Sequence, residues 1–249
     1  MNIGIIGAGE IGGTLIRQYA KAGHKVKMTN ASGIEKLRGL AMETGAVPVA
    51  LADVVKDVNV IVISIPLMKV TELPKNLFDN LPADITVVDT GNYYPMRDGV
   101  IEDIELGMPE SVWVSNKIQR PVVKAYNNLF YRSLLYAGRA KGDASRVALP
   151  VAGDDKQSRD IVSILVGDSG FDAYAYGPLG DSWKQQPGSP VYCTDLTLPQ
   201  LTASLAKAKK ELLPARRELG LKYILSHDSE KWKENVAYNR EIYESDLVG

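Results

Sequence analysis

Hydrophobic positions along the chain form short apolar runs that alternate with segments of helical period. The run Val58–Ile65 is apolar at almost every position, which is typical of a strand in a parallel sheet covered on both faces. Extended segments of this kind are predicted at Asn2–Gly7, Lys25–Thr29, Val47–Pro48, Val58–Ile65, Ile85–Asp89, Val122–Ala125, Val147–Ala152 and Ala173–Tyr176. They give the chain a regular succession of strands up to about residue 177.

Helical spacing of apolar residues occupies the intervals between these strands. Helices or helical turns are predicted at Ile11–Ala22, Ile34–Gly45, Leu51–Val55, Val70–Asn80, Asn128–Tyr136 and Lys156–Asp168. Strands that alternate with helices predict an α/β fold, a Rossmann-type doubly wound parallel sheet with right-handed crossovers.

The strand pattern fades after Gly177, and Leu196–Leu225 is mainly helical, with breaks at Pro199 and Pro214. The chain therefore divides into a dinucleotide-binding domain with an extended sheet, residues 1–179, and a short, mainly helical segment, residues 180–249. The charged and aromatic tail from Ser226 is either a terminal helix or an arm that clasps a partner.

Composition excludes several classes of protein. The 249 residues are 45% hydrophobic and 24% charged, as in soluble globular proteins. A single cysteine, Cys193, forms no intramolecular disulfide, and two histidines make a zinc site of the usual ligands unexpected. A net charge of −1 predicts no nucleic-acid partner. The longest apolar stretch, Val58–Met68, is half a membrane span, and the N-terminus lacks signal-peptide features, so a cytoplasmic protein without a membrane partner is expected.

A glycine-rich motif follows the first predicted strand. It reads Gly7-Ala8-Gly9-Glu10-Ile11-Gly12, which is G-x-G-x-x-G between a strand and a helix. The first glycine permits a tight turn, the second lets a pyrophosphate approach, and the third lets the helix pack against the strand. The helix N-terminus then binds the pyrophosphate through free N–H groups. The motif predicts a nicotinamide dinucleotide site at Gly7, Gly9, Glu10, Ile11 and Gly12.

The end of the second strand indicates which dinucleotide is bound. An acidic residue here would bind the ribose hydroxyls of NAD, but the sequence has Thr29, Asn30 and Ser32, with no carboxylate among residues 29–33. Small hydroxyl and amide groups favour NADP, whose 2′-phosphate a carboxylate would repel. Lys36 or Arg38 would add positive charge, unless both lie on the solvated face of the second helix.

Further strand ends should flank the nucleotide, because ligands of open α/β sheets lie beyond the carboxyl ends of the strands. Ile65, Pro66 and Leu67 follow the third long strand, Gly91 and Asn92 follow the next, and Asn127 follows the one after. An alternative role for Pro66 is simply to end its strand.

Six segments together carry a resemblance to a known family: IGIIGAGEIGG, VDTGNYYP, VVKAYNN, LPVAGDD, YGPLGDSW and KQQPGSPVYC. The chain resembles the deazaflavin (coenzyme F-420)-dependent NADP oxidoreductases and their bacterial relatives, and is similar to the nucleotide-binding part of six-transmembrane metalloreductases. The resemblance implies that Gly9, Ile11, residues 29–32, Ile65, Pro66 and Asn92 line an NADP site. The family often carries an arginine where this chain has Ser32, so the preference for NADP is expected to be weaker.

No Ser-His-Asp pattern or metal cluster is visible, and the sequence identifies no catalytic residue. Hydride transfer between stacked rings needs little acid–base machinery, so the predicted activity is NADP(H)-dependent hydride transfer to a small flat acceptor, a flavin, deazaflavin or quinone-like ring. A carbonyl or imine acceptor would need a proton donor, for which Tyr93, Tyr94 and Tyr126 are candidates. Lys124 is expected to be a sheet-edge or capping lysine.

The polar segment Asp181–Pro187 is a candidate acceptor loop, or alternatively a loop that docks the C-terminal helices. Two other functions stay open at this point, a non-catalytic NADP(H)-binding module that senses redox state and a carbonyl or imine reductase. A homodimer is expected, because the 70 residues from Gly180 make a marginal core alone.

Overall fold

An eight-stranded sheet runs through the computed structural model, which describes residues 1–244. Its spatial order is β3-β2-β1-β4-β5-β6-β7-β8. The strands are β1 Asn2–Ile6, β2 Lys25–Thr29, β3 Val47–Pro48, β4 Val60–Ile63, β5 Thr86–Asp89, β6 Val123–Lys124, β7 Ala148–Ala152 and β8 Asp172–Gly177. The order reverses direction between β1 and β4, which is the topological switch point of a doubly wound sheet. The predicted α/β class and doubly wound sheet are confirmed.

Helices connect the strands and form the C-terminal segment. The α-helices are α1 Glu10–Lys21, α2 Arg38–Thr44, α3 Leu51–Val54, α4 Pro95–Asp98, α5 Glu102–Glu105, α6 Glu110–Ile118, α7 Tyr131–Tyr136, α8 Lys156–Asp168, α9 Leu198–Ala206, α10 Leu213–Ser226 and α11 Trp232–Glu244. Short stretches of 3-10 helix lie at Ile34–Leu37, Leu67–Glu72, Leu179–Gln185, Lys210–Leu212 and Ser229–Lys231.

Two apolar layers cover the sheet, one on each face. Alternate strand residues point to opposite faces, so Ile5 packs in one core cluster and Ile6 in the other. Helices α1 and α8 cover the first face, and α3 and α6 cover the second. In-register parallel pairing then brings the carboxyl ends of β1, β2, β4, β5 and β6 to one edge.

The sheet departs from the prediction at β6 and β7, which pair antiparallel through Lys124 and Ala152. A parallel crossover needs an element that carries the chain back along the sheet. The only α-helix in this connection, α7, has six residues and rises about 9 Å, shorter than the ~17 Å of a five-residue strand such as β7. Strands β7 and β8 are parallel to each other but run opposite to the rest of the sheet.

Several predicted helices differ from the structure. The segment Val70–Asn80 is a 3-10 turn that ends at Glu72, because Leu73 precedes Pro74 and takes an extended conformation. The helix predicted from Asn128 begins at Tyr131, since Asn128 is bonded to residues 191 and 193. Helices α4, α5 and α6 were not predicted; the first two are single turns with too few residues to show a helical period.

The C-terminal helices α10 and α11 pack against each other. The tail from Ser226 is thus a terminal helix over its described part, and residues 245–249 lie outside the described residues. Within residues 1–244, no helix is both long and apolar enough to span a membrane. The division of the chain after residue 179 stays a prediction.

Candidate active site

The glycine-rich turn joins β1 to α1 at the carboxyl edge of the sheet. Gly7 has a φ of +101°, and a Cβ there would lie 2.1 Å from the carbonyl oxygen of Ser64. A Cβ on Gly12 would lie 2.0 Å from the carbonyl oxygen of Gly7. Gly9 differs from both, because a Cβ there would meet nothing within 4 Å. Two of the glycines therefore serve the turn itself, while the third leaves space open for something outside the chain.

Gly9 is the N-cap of α1, and no side chain caps the helix there. The first N–H groups of an α-helix have no partner within the helix, and the dipole makes this end positive. Gly9, Glu10 and Ile11 all line the adjacent cleft. This arrangement is suited to the pyrophosphate of a dinucleotide.

A cleft of about 650 Å³ runs along the carboxyl edge of the sheet from this turn. Its wall continues through the ends of β4 and β5, and its far end is built by side chains from beyond the sheet. The lining residues are Gly9, Glu10, Ile11, Ser64, Ile65, Pro66, Thr90, Gly91, Asn92, Tyr94, Met96, Arg97, Leu129, Phe130, Tyr131, Tyr192, Cys193, Leu221 and Ile224. The cleft joins a polar glycine-rich end to an apolar, aromatic end.

Half of the predicted cofactor residues line this cleft: Gly9, Glu10, Ile11, Ile65, Pro66, Gly91 and Asn92. The other half lie behind or beside it: Gly7, Gly12, Thr29, Asn30, Ser32, Leu67 and Asn127. Of these, Leu67 is 1% exposed and packs in the core. Thr29 is also buried, and its carbonyl oxygen accepts the N–H of Gly7. Thr29 and Leu67 therefore support the wall rather than form it.

Asn30, at the end of β2, has a buried Oδ1 without a hydrogen-bond partner among the described residues. Buried amide oxygens are usually satisfied, so this atom is available to a ligand group such as a ribose hydroxyl. Together with the open space at Gly9, it shows that the residues present fit a dinucleotide. The neighbouring Ser32 is exposed, as its predicted contact with a 2′-phosphate requires.

The predicted source of extra positive charge beside Ser32 is only partly present. Arg38 forms an ion pair of 2.7 Å with Glu35, and both side chains are highly exposed. Lys36 is exposed on the same turn. The pair with Glu35 reduces the net charge that Arg38 presents to a phosphate, whereas Lys36 forms no ion pair among the described residues.

Only one of the three tyrosine candidates faces the cleft. Tyr93 is buried in the core of the second face, where its hydroxyl donates to Glu105 Oε1 at 2.8 Å. Tyr126 is buried in the core of the first face. Tyr94 lines the cleft, and its hydroxyl lies 2.7 Å from that of Tyr192. Of the three candidate proton donors, Tyr94 is therefore the one that a ligand in the cleft would contact.

The match to a known protein family covers the part of the chain that contains the glycine-rich turn and the ends of β4 and β5. Residues 2–93 match the family NADP oxidoreductase coenzyme F420-dependent. The resemblance that the sequence motifs carry is therefore confirmed for β1 to β5 with the glycine-rich turn. The similarity to the nucleotide-binding part of membrane metalloreductases stays a prediction.

Among curated relatives, protein YjhV of Escherichia coli K12 is 34% identical over 92 residues, which is 37% of this chain and 60% of that protein. The match thus spans less than two thirds of the relative's length. A crystal structure of a hypothetical protein, SMa0349 from Sinorhizobium meliloti, is 25% identical, with a TM-score of 0.67, over 79% of this chain and 95% of that one.

Two further solved structures share the fold. A proposed F420-dependent NADP-reductase from Arthrobacter sp. FB24 is 20% identical with a TM-score of 0.56, over 71% of this chain and 85% of that one. A reductive aminase from Aspergillus terreus, in complex with NADPH and ethyl levulinate, is 13% identical with a TM-score of 0.51, over 72% of this chain and 56% of that one.

A chain of three amide side chains fixes Asn92 at the middle of the cleft. Asn127 Nδ2 donates to Asn92 Oδ1 at 3.0 Å, and Asn92 Nδ2 donates to the carbonyl oxygen of Asn127 at 2.9 Å. Gln185, fully buried, donates from Nε2 to Asn127 Oδ1 at 2.8 Å. Asn127 and Gln185 lie outside the residues matched to the NADP oxidoreductase family. Asn127, predicted to contact the cofactor, is not among the residues that line the cleft, and instead holds Asn92 through two hydrogen bonds.

A buried ionic cluster supports the same wall. Lys124, which the sequence predicted at a sheet edge or cap, is fully buried, with Nζ 3.4 Å from both Asp89 and Glu110. It also donates to the carbonyl oxygen of Gly91, which lines the cleft. Asp89 accepts further bonds from Ser111 Oγ and the N–H of Gly91. The prediction for Lys124 is wrong because β6 is an inner strand with β7 on its far side.

Two carboxyl groups share one ammonium in this cluster, so full ionisation would leave one negative charge buried and unbalanced. Burial raises the pKa of Glu110 from 4.5 to about 7, against the opposing effect of Lys124. Between these two pH values the native state binds more protons than the unfolded chain. The contribution of Glu110 to stability therefore falls as pH rises from about 4.5 to 7 and is constant above that range.

We expect the variant Glu110→Gln to lose this pH dependence, because the amide keeps the shape of the side chain and does not ionise. The wild type should lose up to about 3 kcal/mol relative to the variant between pH 4.5 and 7. Urea unfolding of both proteins across this range gives the difference directly. A constant difference between the two proteins at all pH values would contradict the assignment.

The segment predicted as an acceptor loop is packed into the protein. Asp181–Gln185 belongs to the 3-10 helix Leu179–Gln185, in which Ser182 and Gln185 are fully buried. Next to it, Gly188 lies against α10, where a Cβ would be 2.1 Å from the carbonyl oxygen of Leu213. The alternative, a loop that docks the C-terminal helices, agrees with the structure.

The far end of the cleft is built instead by Tyr192, Leu221 and Ile224, which no local sequence pattern distinguishes.

Proposed function

We propose that this chain is an NADP(H)-dependent oxidoreductase that transfers a hydride between nicotinamide and a small flat acceptor. The observation that carries the proposal is the single continuous cleft from the uncapped helix N-terminus to an aromatic end. A dinucleotide bound at Gly9 and extended past Pro66 and Asn92 would place its nicotinamide next to that end. The match to the NADP oxidoreductase family supports the cofactor and the class of enzyme.

The chain's own residues would bind and orient the two reactants. The bound cofactor supplies the hydride from its nicotinamide ring. Asn92, held by Asn127 and Gln185, offers a fixed amide beside that ring. Phe130 and Leu221 lie at the apolar end, where they would exclude water from a stacked acceptor. Hydride transfer between rings mainly requires that the nicotinamide and the acceptor be held close together in the correct orientation.

Stopped-flow oxidation of NADPH against flavins, a deazaflavin, quinones, carbonyls and imines tests the proposal. We expect turnover with at least one flat conjugated ring. Turnover with carbonyls or imines alone would favour the reductase alternative. Tight NADPH binding without turnover of any acceptor would favour the redox-sensing module, whose pocket should be closed over the nicotinamide.

The exposed Ser32 after β2 leads to a prediction about cofactor preference. We expect the wild type to bind NADP(H) more tightly than NAD(H), and Ser32→Arg to increase that ratio roughly five- to tenfold, since an arginine donates two charge-assisted bonds to a phosphate. Calorimetric titration of both cofactors measures the ratio, with Ser32→Gln as a control of similar reach without charge. Tighter binding of NAD(H) to the wild type would refute the interpretation of residues 29–32.

Three exposed leucines on the C-terminal part of the chain bear on its oligomeric state. We propose a homodimer, supported by the exposed leucines Leu198, Leu219 and Leu225 on the C-terminal helices. Light scattering on the purified protein gives the mass in solution. The cytoplasmic location stays a prediction.

A further inference from the structure

The aromatic end of the cleft contains a pair of tyrosine hydroxyls, of which the sequence offered only one, that of Tyr94, as a candidate proton donor. Tyr94 and Tyr192 lie 98 residues apart, yet their hydroxyl oxygens are 2.7 Å apart and both residues line the cleft. Each is fixed by its backbone: the N–H of Tyr94 donates to Asp98 Oδ2 at 3.0 Å, and the N–H of Tyr192 donates to the carbonyl oxygen of Ser189 at 2.9 Å. The pair is therefore a built feature of this end of the cleft.

The two hydroxyls together have one proton available for a ligand. Each tyrosine hydroxyl has one proton, and one of the two protons is used in the bond between them. Whichever hydroxyl donates, one O–H proton remains for a third partner. Burial raises the pKa of both hydroxyls above the ordinary value, so the pair stays protonated at neutral pH.

Other groups at this end are poorer proton donors. The Arg97 guanidinium is already engaged, in an ion pair with Asp98 at 2.7 Å and in a hydrogen bond to the carbonyl oxygen of Asn92. Cys193 is buried, and its thiol is a weak hydrogen-bond donor. Glu10 lies at the opposite, glycine-rich end. Tyr131 is the third tyrosine among the lining residues, and its ring lies beneath the guanidinium of Arg132.

We infer that the Tyr94–Tyr192 pair is the proton donor to the acceptor, and that the acceptor is a conjugated compound whose oxygen or nitrogen gains a proton as its ring or carbonyl carbon gains the hydride. The inference rests on the proposed function. Among the proposed flat acceptors, it favours quinone-like rings, whose oxygen gains a proton on reduction, over rings whose reduced form remains an anion.

Atoms and electrons balance in this step. The C–H bond at the nicotinamide breaks with its electron pair, and a new C–H bond forms on the acceptor, which is reduced by two electrons while the nicotinamide is oxidised. The acceptor's double-bond electrons move to its heteroatom, which takes the proton from Tyr94. The tyrosinate regains a proton from Tyr192, which regains one from solvent.

The test compares Tyr94→Phe, Tyr192→Phe and the double variant with Tyr136→Phe, an exposed tyrosine outside the cleft lining that serves as matched control. With a quinone or conjugated carbonyl, Tyr94→Phe should lower kcat about 100-fold or more, the range for a lost general acid. Tyr192→Phe should lower kcat less. The double variant should have the same kcat as Tyr94→Phe, because the pair acts as a unit.

NADPH affinity, measured by calorimetry, should stay within about twofold of the wild type in all four variants, since the pair contacts the acceptor rather than the cofactor's phosphates.

Two outcomes would overturn the inference while leaving the proposed function intact. One is a Tyr94→Phe enzyme that keeps the wild-type kcat, with the loss of kcat found in Tyr131→Phe instead. The other is multiplicative loss in the double variant, as expected of two independent side chains. A wild-type protein that binds NADPH but reduces no acceptor refutes the proposed function itself, so the two failures are distinguishable.

Discussion

Replacing Gly9 with valine should weaken NADP(H) binding by roughly 100-fold or more while the protein stays folded. The added side chain meets nothing within 4 Å in the chain itself, and the backbone there is extended with a φ of −74° that valine adopts readily. The space it fills is the approach to the free N–H groups of α1. Loss of about two bonds from these N–H groups to a charged phosphate, each worth about 1.5 kcal/mol or more, corresponds to that factor.

Substitutions at two other glycines make this prediction specific. Gly12→Ala should unfold or strongly destabilise the protein, because its Cβ would lie 2.0 Å from the carbonyl oxygen of Gly7. Gly39→Ala, in the exposed helix α2, should leave binding unchanged and stabilise the chain slightly. Calorimetry with NADPH and thermal melting separate binding from folding in all three. A Gly9→Val protein that binds NADPH as the wild type does would show that the pyrophosphate lies elsewhere.

The elements that the sequence predicted best are those with a strong local cause. The glycine spacing before α1 and the unbroken apolar runs of β1 and β4 each depend on residues close in the chain. The strand ends at Pro66 and Asn92 follow from the topology of a doubly wound sheet once those runs are known. Local pattern therefore located one wall of the cleft.

The opposite wall depends on contacts between distant parts of the chain. Gln185 reaches Asn127 over 58 residues, and Tyr192 reaches Tyr94 over 98. No local periodicity encodes such pairs, because they are selected by the tertiary fold. Lys124 was misplaced for the same reason: its strand has only two residues, and the sequence did not reveal that β7 would cover it from the far side. Long-range pairing thus limits what a single sequence predicts here.

Replacing Lys124 with methionine should destabilise the protein by about 3 to 5 kcal/mol, the usual cost of removing one partner from a buried ionic cluster. Asp89 and Glu110 would remain buried, each with the ammonium at 3.4 Å removed, and the carbonyl oxygen of Gly91 would lose its donor. Proteins of this kind are stable by about 5 to 15 kcal/mol in total. Urea unfolding at about pH 8, above the raised pKa of Glu110, should show the full effect.

Lys156→Met is the matched control, because it removes the same side chain from an exposed pair with Asp160, worth at most about 1 kcal/mol. Adding Glu110→Gln and Asp89→Asn to Lys124→Met should recover much of the lost stability, since no unpaired charge then stays buried. Recovery would identify the unbalanced carboxylates as the cause of the loss. Equal stability of Lys124→Met and Lys156→Met would mean instead that the buried ammonium of Lys124 contributes no more than an ammonium at the surface.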